Sequence, residues 1–307
     1  MGGRMRDPAE YCSRSVGPAL TVRVPLPVTR LPQRLEMWQP ACEDARMTRI
    51  PALSSACNFR DFGGYDTADG RRVRWGQLYR SGVMSQLSEA DRWAIAALGV
   101  RTVCDLRRLD ERSSQPNPHF GPGVVQLHWD DGREGSPLQG LSFSQSVDRP
   151  AVKTAMIRMY AGMPARMATR VRGMFAALLS GPGVPMILHC TAGKDRTGFS
   201  AAMLLTALGV PRDVVVEDYL LTNVAVDLRA RLLEAGSTGF GVAPSAEPIL
   251  AMAADAQEAV LAADADYIAA SFASIEGEHG SVAEYLRGVI GLDDTAREKL
   301  ARSMLEA

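Results

Sequence analysis

The sequence predicts an α/β protein: a central, mostly parallel sheet flanked by helices, with helical insertions in its second half. Three observations carry this. Short apolar runs at 100–106, 124–129 and 184–188 alternate with stretches of helical pattern, and strands that alternate with helices form parallel sheets. The chain from about residue 196 onward is mostly helical in composition. With 46% hydrophobic and 22% charged residues among 307, there is enough apolar surface for a sizeable core.

Residues 1–48 differ from the rest. Pro8, Pro18, Pro25, Pro27, Pro32 and Pro40 recur with arginines between them, which predicts a poorly ordered extension, or a later start at Met47. Residues 49–307 are expected to form a single domain. Asp69-Gly70 separates two alternating stretches and predicts a hairpin turn. A helix follows, with Ser88 as N-cap, Asp91 three positions on and Gly99 closing it. The strand at 100–106 carries Asp105 near its end, where ligands gather in parallel sheets. The strand at 124–129 runs into Asp130 and Asp131, then a Gly/Ser/Pro-rich loop to about Pro150. Two helices are predicted within 151–180, broken near 162–164 and ended by Gly181.

The run 184–188 leads into His189 and Cys190, then Thr191, Ala192, Gly193, Lys194 and Asp195, then Arg196, Thr197 and Gly198, with a helix predicted from Arg196. Pro211 opens a further helix, and another ends at Gly236. Residues 247–275 read as a long Ala-rich amphipathic helical region, with Ile249, Leu250, Met252, Val260, Leu261, Tyr267, Ile268 and Phe272 at near-helical spacing and Asp and Glu opposite. Two more helices close the chain, the first with a capping box at Ser281 and Glu284.

The stretch at 189–198 carries the chemistry. A loop that opens a helix presents unpaired N–H groups and a partial positive charge, which together bind phosphate. A cysteine at its start feels that dipole together with Lys194 and Arg196, all of which favour the thiolate. The planar fork of Arg196 can grip two phosphate oxygens, and Gly193 permits a left-handed turn close to a ligand.

HCTAGKDRTG resembles the signature loop of the cysteine-dependent protein phosphatases, His-Cys-x5-Arg-Thr/Ser. Its Gly-Lys-Asp-Arg-Thr-Gly form is similar to a bacterial branch of tyrosine phosphatases with broad specificity. Asn58-Phe59-Arg60-Asp61 with Gly63-Gly64-Tyr65, Asp105-Leu106-Arg107 with Glu111, and Glu217-Asp218-Tyr219-Leu220 with Asn223 extend the resemblance over about 50–307. It implies a cysteine-phosphatase-like fold, with the 247–275 region as a lid; plain packing on the core is the other reading of that region. It also implies hydrolysis of phosphate monoesters through a phosphocysteine, on phosphotyrosine protein and also on phosphoserine/threonine or phosphoinositide.

Cys190 is then the nucleophile. Arg196 and the loop from Thr191 through Ala192, Gly193 and Lys194 to Thr197 and Gly198 bind the phosphate. Lys194 reads equally as a contact to a second phosphate or to an acidic substrate, or as a solvated surface lysine. Thr197 is placed to donate its hydroxyl to the Cys190 sulfur, and His189 to order the loop. Asp195 is the first candidate for general acid, although Lys194 and Arg196 favour its ionised form; Asp105 is the second, with Asp130 and Asp131 as rivals. Arg60, Asp61 and Arg80 read either as part of the site or as an internal ion-pair network. A sulfurtransferase or arsenate reductase, or a phosphate-binding module without catalysis, are the competing readings.

No cofactor and no metal is implied, since no ligand spacing is visible. The net charge of −1 argues against a nucleic-acid binder, and no apolar run approaches the ~20 residues of a membrane span. The five cysteines (Cys12, Cys42, Cys57, Cys104 and Cys190) form no disulfide framework by count or spacing. Without an apolar core behind Arg4 and Arg6 the location predicted is cytoplasmic, with export lacking a cleaved signal left open. Nothing in the sequence specifies an oligomeric state.

Overall fold

The computed structural model describes residues 49, 53–130, 147–234 and 247–307. The expectations for 1–48, for Asp131 and for Gly236 lie outside them. Five strands form the main sheet, in the order β1 (Arg60–Asp61), β3 (Leu78–Ser81), β6 (Met186–His189), β4 (Thr102–Asp105), β5 (Val125–Leu127). β1 runs antiparallel to β3, and the other pairs are parallel. The expected mostly parallel α/β sheet is therefore present.

Alternation along the strands divides the core. Leu78, Cys104, Met186 and Leu188 face the larger cluster, and Tyr79, Val103 and Ile187 face the smaller one, as the two-residue period of a strand requires. Each such apolar side chain contributes roughly 1.5–3 kcal/mol by its burial. On the smaller side Ile95 packs from α1 (Glu89–Ala97). Ser88 caps α1 by accepting from the Asp91 amide, but the Asp91 carboxylate accepts from the Ser54 and Ser55 amides rather than closing a capping box. After β4 comes the short α2 (Leu109–Ser114).

On the larger side lie α3 (Arg149–Ala161) and α4 (Met163–Ser180), broken at Gly162 as expected. The helix after β6 is α5 (Asp195–Ala207), which starts one residue before the expected position. α6 (Arg212–Leu220), α7 (Thr222–Ala225) and α8 (Leu228–Glu234) follow.

The region 247–275 is not one helix. It is α9 (Glu247–Leu250), α10 (Ala254–Leu261) and α11 (Ala265–His279). Asp264 interrupts it, its carboxylate capping the Asp266 amide, while Asn223 bonds both the N–H and the C=O of Ala263. An acidic, Ala-rich composition hid the capping aspartate. α10 and α11 pack on α3.

The chain ends with α12 (Val282–Tyr285), a π-helical turn at Leu286–Ile290, and α13 (Asp294–Met304). Ser281 caps α12 as expected, but the Glu284 carboxylate pairs with Arg287 instead of closing a box. A strand missed in the sequence, β7 (Leu305–Glu306), pairs antiparallel with β2 (Arg72–Val73) beyond the Asp69-Gly70 turn.

Candidate active site

Ser81 and Asp105 both lie in register with His189. Three parallel strands therefore end together, and the segment from Cys190 to α5 leaves that edge. Cys190 follows β6 directly and is 2% exposed.

The loop's shape is imposed from outside. The carbonyl of Thr191 accepts from the Val83 amide at 2.8 Å. That of Ala192 accepts from Asn58 Nδ2 at 3.1 Å, and that of Gly193 from Arg80 Nη2 at 3.0 Å. In a trans peptide the N–H lies opposite the C=O. Pulling these three carbonyls outward turns the amides of Ala192, Gly193 and Lys194 inward. The first-turn amides of α5, free of helical partners, join them at the same opening. Gly193 sits at φ 68°, and a Cβ there would lie 2.7 Å from Gly82 N and Ser81 O, so no other residue fits.

A buried charged cluster stands beneath. Asp218 binds Arg80 at 2.6 Å, accepts from Tyr65 Oη at 3.0 Å and lies 3.9 Å from Arg60 Nε. Burial alone would raise the Asp218 carboxyl, but Arg80 and Arg60 hold it below the usual carboxylate range. Burial and the neighbouring Arg80 pull Arg60 down to about 9. Arg60 also donates to Asn58 Oδ1, holding Asn58 in the left-handed backbone region (φ 55°) that asparagine tolerates. Asp61 takes the Gly63 and Gly76 amides. Arg60, Arg80 and Asp61 thus form internal contacts, and the two arginines reach the loop through Asn58 and Gly193.

Arg196 is held as a fork. Its two Nη atoms donate to the two carboxylate oxygens of Glu111 at 2.7 and 2.8 Å, and one also reaches Thr191 Oγ1 at 3.1 Å. Burial works against both charges. Arg196 nevertheless drives the Glu111 carboxyl far below its ordinary value, and Glu111 raises the Arg196 guanidinium. Arg196 keeps about a fifth of its side chain exposed. Thr197 Oγ1 is buried without a hydrogen-bond partner. The expected bond to the Cys190 sulfur is therefore not made, and the hydroxyl is committed to nothing else. Unpaired buried hydroxyls are uncommon and cost about 1–3 kcal/mol.

Asp105 is held by basic and polar neighbours. It takes a two-point contact from Arg107, a bond from Asn117, and lies 3.5 Å from His189 Nε2. Burial opposes its charge, but His189 and Arg107 outweigh that and hold it below the usual range. His189 is fully buried, and burial pulls it down to about 4 against the pull of Asp105. It is neutral near pH 7. Asp130 is paired with Arg112.

Lys194 is neither a surface lysine nor free for a second phosphate. It is 2% exposed, and its Nζ donates to the carbonyls of Val260 and Ala262 at the C-terminal end of α10. Asp195 remains about three-tenths exposed; its Oδ1 accepts from Tyr160 Oη at 2.6 Å and lies 3.4 Å from Lys194 Nζ. Glu111 was visible in the sequence as part of a motif, without its role. Asn58 and Arg80 as anchors of the loop, and Tyr160 as partner of Asp195, were not foreseen.

At this sheet edge a cysteine opens a loop that leads into a helix, with an arginine six residues on and an α/β sheet beneath. The chain belongs to the tyrosine phosphatase family, whose profile matches residues 51–306, and it is a phosphatase enzyme. It is 33% identical over 262 residues to a protein of Cupriavidus necator named as a tyrosine-protein phosphatase, covering 83% of this chain and 89% of that one. It is also 33% identical to the triple specificity protein phosphatase PtpB of Mycobacterium tuberculosis, over 78% of this chain and 93% of the relative. A tyrosine-protein phosphatase of Nostoc commune matches at 33% over 47% of each chain. Family membership disfavours the sulfurtransferase, arsenate reductase and non-catalytic readings.

Proposed function

We propose that the chain hydrolyses phosphate monoesters through a phosphocysteine on Cys190, with phosphotyrosine protein as its main substrate. The observation that carries this is the set of three loop carbonyls tied outward by Val83, Asn58 and Arg80. Those ties aim the amides at the place where a phosphoryl group would meet Cys190 and Arg196. Charge on the equatorial oxygens is stabilised there by donors already in position.

In this reading the Cys190 thiolate attacks phosphorus, and the ester oxygen leaves with a proton from Asp195. The Asp195 carboxylate then takes a proton from the water that releases phosphate and restores the thiolate. Asp195 is favoured over Asp105 and Asp130 because their carboxylates are occupied by arginines. Activity on phosphoserine, phosphothreonine and phosphoinositides belongs to the same proposal, supported by a relative named for triple specificity. A cytoplasmic location is part of it, since Cys57, Cys104 and Cys190 are all free thiols. No helix among the described residues is long and apolar enough to cross a membrane.

The test is a panel of phosphotyrosine, phosphoserine and phosphothreonine peptides with phosphoinositides. The wild type is expected to release phosphate, fastest from phosphotyrosine. Cys190→Ser should lose about 10³-fold or more on every substrate. Turnover that survives in Cys190→Ser would exclude the mechanism.

A further inference from the structure

Asp195 is not held by its own loop. Tyr160 on α3, fully buried, donates to Asp195 Oδ1 at 2.6 Å, and its oxygen lies 2.7 Å from the hydroxyl of Tyr219 on α6. Tyr219 is fully buried as well. Its ring lies against Gly198, where a Cβ would come within 2.8 Å of ring carbon Cδ2. The Tyr160 ring stands edge-on to Tyr219 at 6.0 Å and 5.6 Å from Tyr267, and Ser271 Oγ donates to the Tyr160 carbonyl at 2.7 Å. Neither phenol has room to turn away.

Burial, and Asp195 close by, push both phenols well above their ordinary values. Both therefore stay protonated. Each phenol owns one proton. Tyr160 spends its proton on Asp195, so Tyr219 must donate to Tyr160. The chain runs one way, from Tyr219 to Tyr160 to Asp195 Oδ1. The Lys194 Nζ charge, whose hydrogen bonds go to the Val260 and Ala262 carbonyls, stands 3.4 Å from the same oxygen. With the Tyr160 hydrogen bond and the Lys194 charge both at Oδ1, Oδ2 is left to carry any proton that Asp195 holds.

We propose that Tyr160, backed by Tyr219, is a positioning residue that fixes the Asp195 carboxyl so that Oδ2 delivers the proton to the leaving group. The proposal rests on Asp195 being the general acid. As the Cys190 sulfur bonds to phosphorus and the P–O bond breaks, the proton on Oδ2 passes to the departing oxygen. In the second half Oδ2 accepts a proton from water as the water oxygen bonds to phosphorus and the S–P bond breaks, its electron pair returning to sulfur. Oδ1 keeps its bond to Tyr160 throughout, and Tyr160 neither gains nor loses a proton.

The test measures kcat/KM, which reports the steps through departure of the leaving group, for p-nitrophenyl phosphate and for phenyl phosphate. Wild type, Tyr160→Phe, Tyr219→Phe and Asp195→Asn are compared, with inhibition by inorganic phosphate and the melting temperature followed in each. A good leaving group needs little protonation, and a poor one needs it fully. Tyr160→Phe should lower kcat/KM for phenyl phosphate by about tenfold or more relative to p-nitrophenyl phosphate, with inhibition by phosphate unchanged. Tyr219→Phe should shift the ratio the same way by less. Equal losses on both substrates in Tyr160→Phe and Tyr219→Phe, beside a clear split in Asp195→Asn, would overturn the proposal while leaving Asp195 as the acid. No split in Asp195→Asn would remove the assignment of Asp195 and this proposal with it.

Discussion

Glu111 and His189 show how buried ionisable groups set the site's geometry at the scale of single residues. Glu111 occupies one side of the Arg196 guanidinium with two hydrogen bonds, so the fork is held in one orientation, as the proposed phosphate contact requires. His189 does its part uncharged. Its ordinary value of 6.5 falls to about 4 in the fold, so the unfolded chain binds the proton first as the pH drops. The stability this group lends is intact above about 6.5 and is lost on descending to about 4, roughly 3 kcal/mol in all. Asp61, raised by burial to about 6 despite its two backbone donors, acts in the opposite sense as the pH falls from about 6 towards 3.8. Denaturant unfolding of wild type and His189→Asn at pH 7 and at pH 4.5 separates the two, because both proteins keep Asp61. Wild type should lose more stability between those conditions than His189→Asn. Equal losses would mean that His189 takes up its proton in the folded state without penalty.

At the scale of elements, the junction between the signature loop and α10 is the feature the sequence hid. Residues 247–275 were legible as an amphipathic helical region because periodicity is local. The breaks within it were not, because what fixes them lies elsewhere: Asn223 on α7 grips Ala263, and Lys194 caps the last turn of α10. A lysine at the C-terminal end of a helix satisfies carbonyls that have no helical partner. Lys194→Met keeps the length of the stem and removes the donor. Amide hydrogen exchange in residues 254–264 should then speed up by about tenfold, a loss of roughly 1–2 kcal/mol in local stability. Unchanged exchange there would show that packing on α3 alone holds α10 in place.

At the scale of the whole molecule, the legible part of the site is the part whose spacing is local. Cys190 and Arg196 are six residues apart on one turn into a helix, and their chemistry follows from that. The supports are remote. Tyr160 meets Asp195 across 35 residues, Glu111 meets Arg196 across 85, and Arg80 meets Asp218 across 138. No periodicity or motif offset encodes such pairs, and a lone tyrosine on an apolar helix reads as core. The missed strand β7 has the same cause, since two residues at the chain end become a strand by pairing with β2. The sheet edge gathers these separate segments around one loop, and everything proposed for the chemistry depends on a covalent bond at Cys190. Rapid acid quench of the wild type and of Asp195→Asn during turnover of p-nitrophenyl phosphate, followed by peptide mass spectrometry, tests that bond directly. The prediction is a phosphoryl group on the peptide that contains Cys190, and more of it in Asp195→Asn, where activation of the water is impaired. A phosphoryl group on another residue, or none during active turnover, would contradict the mechanism.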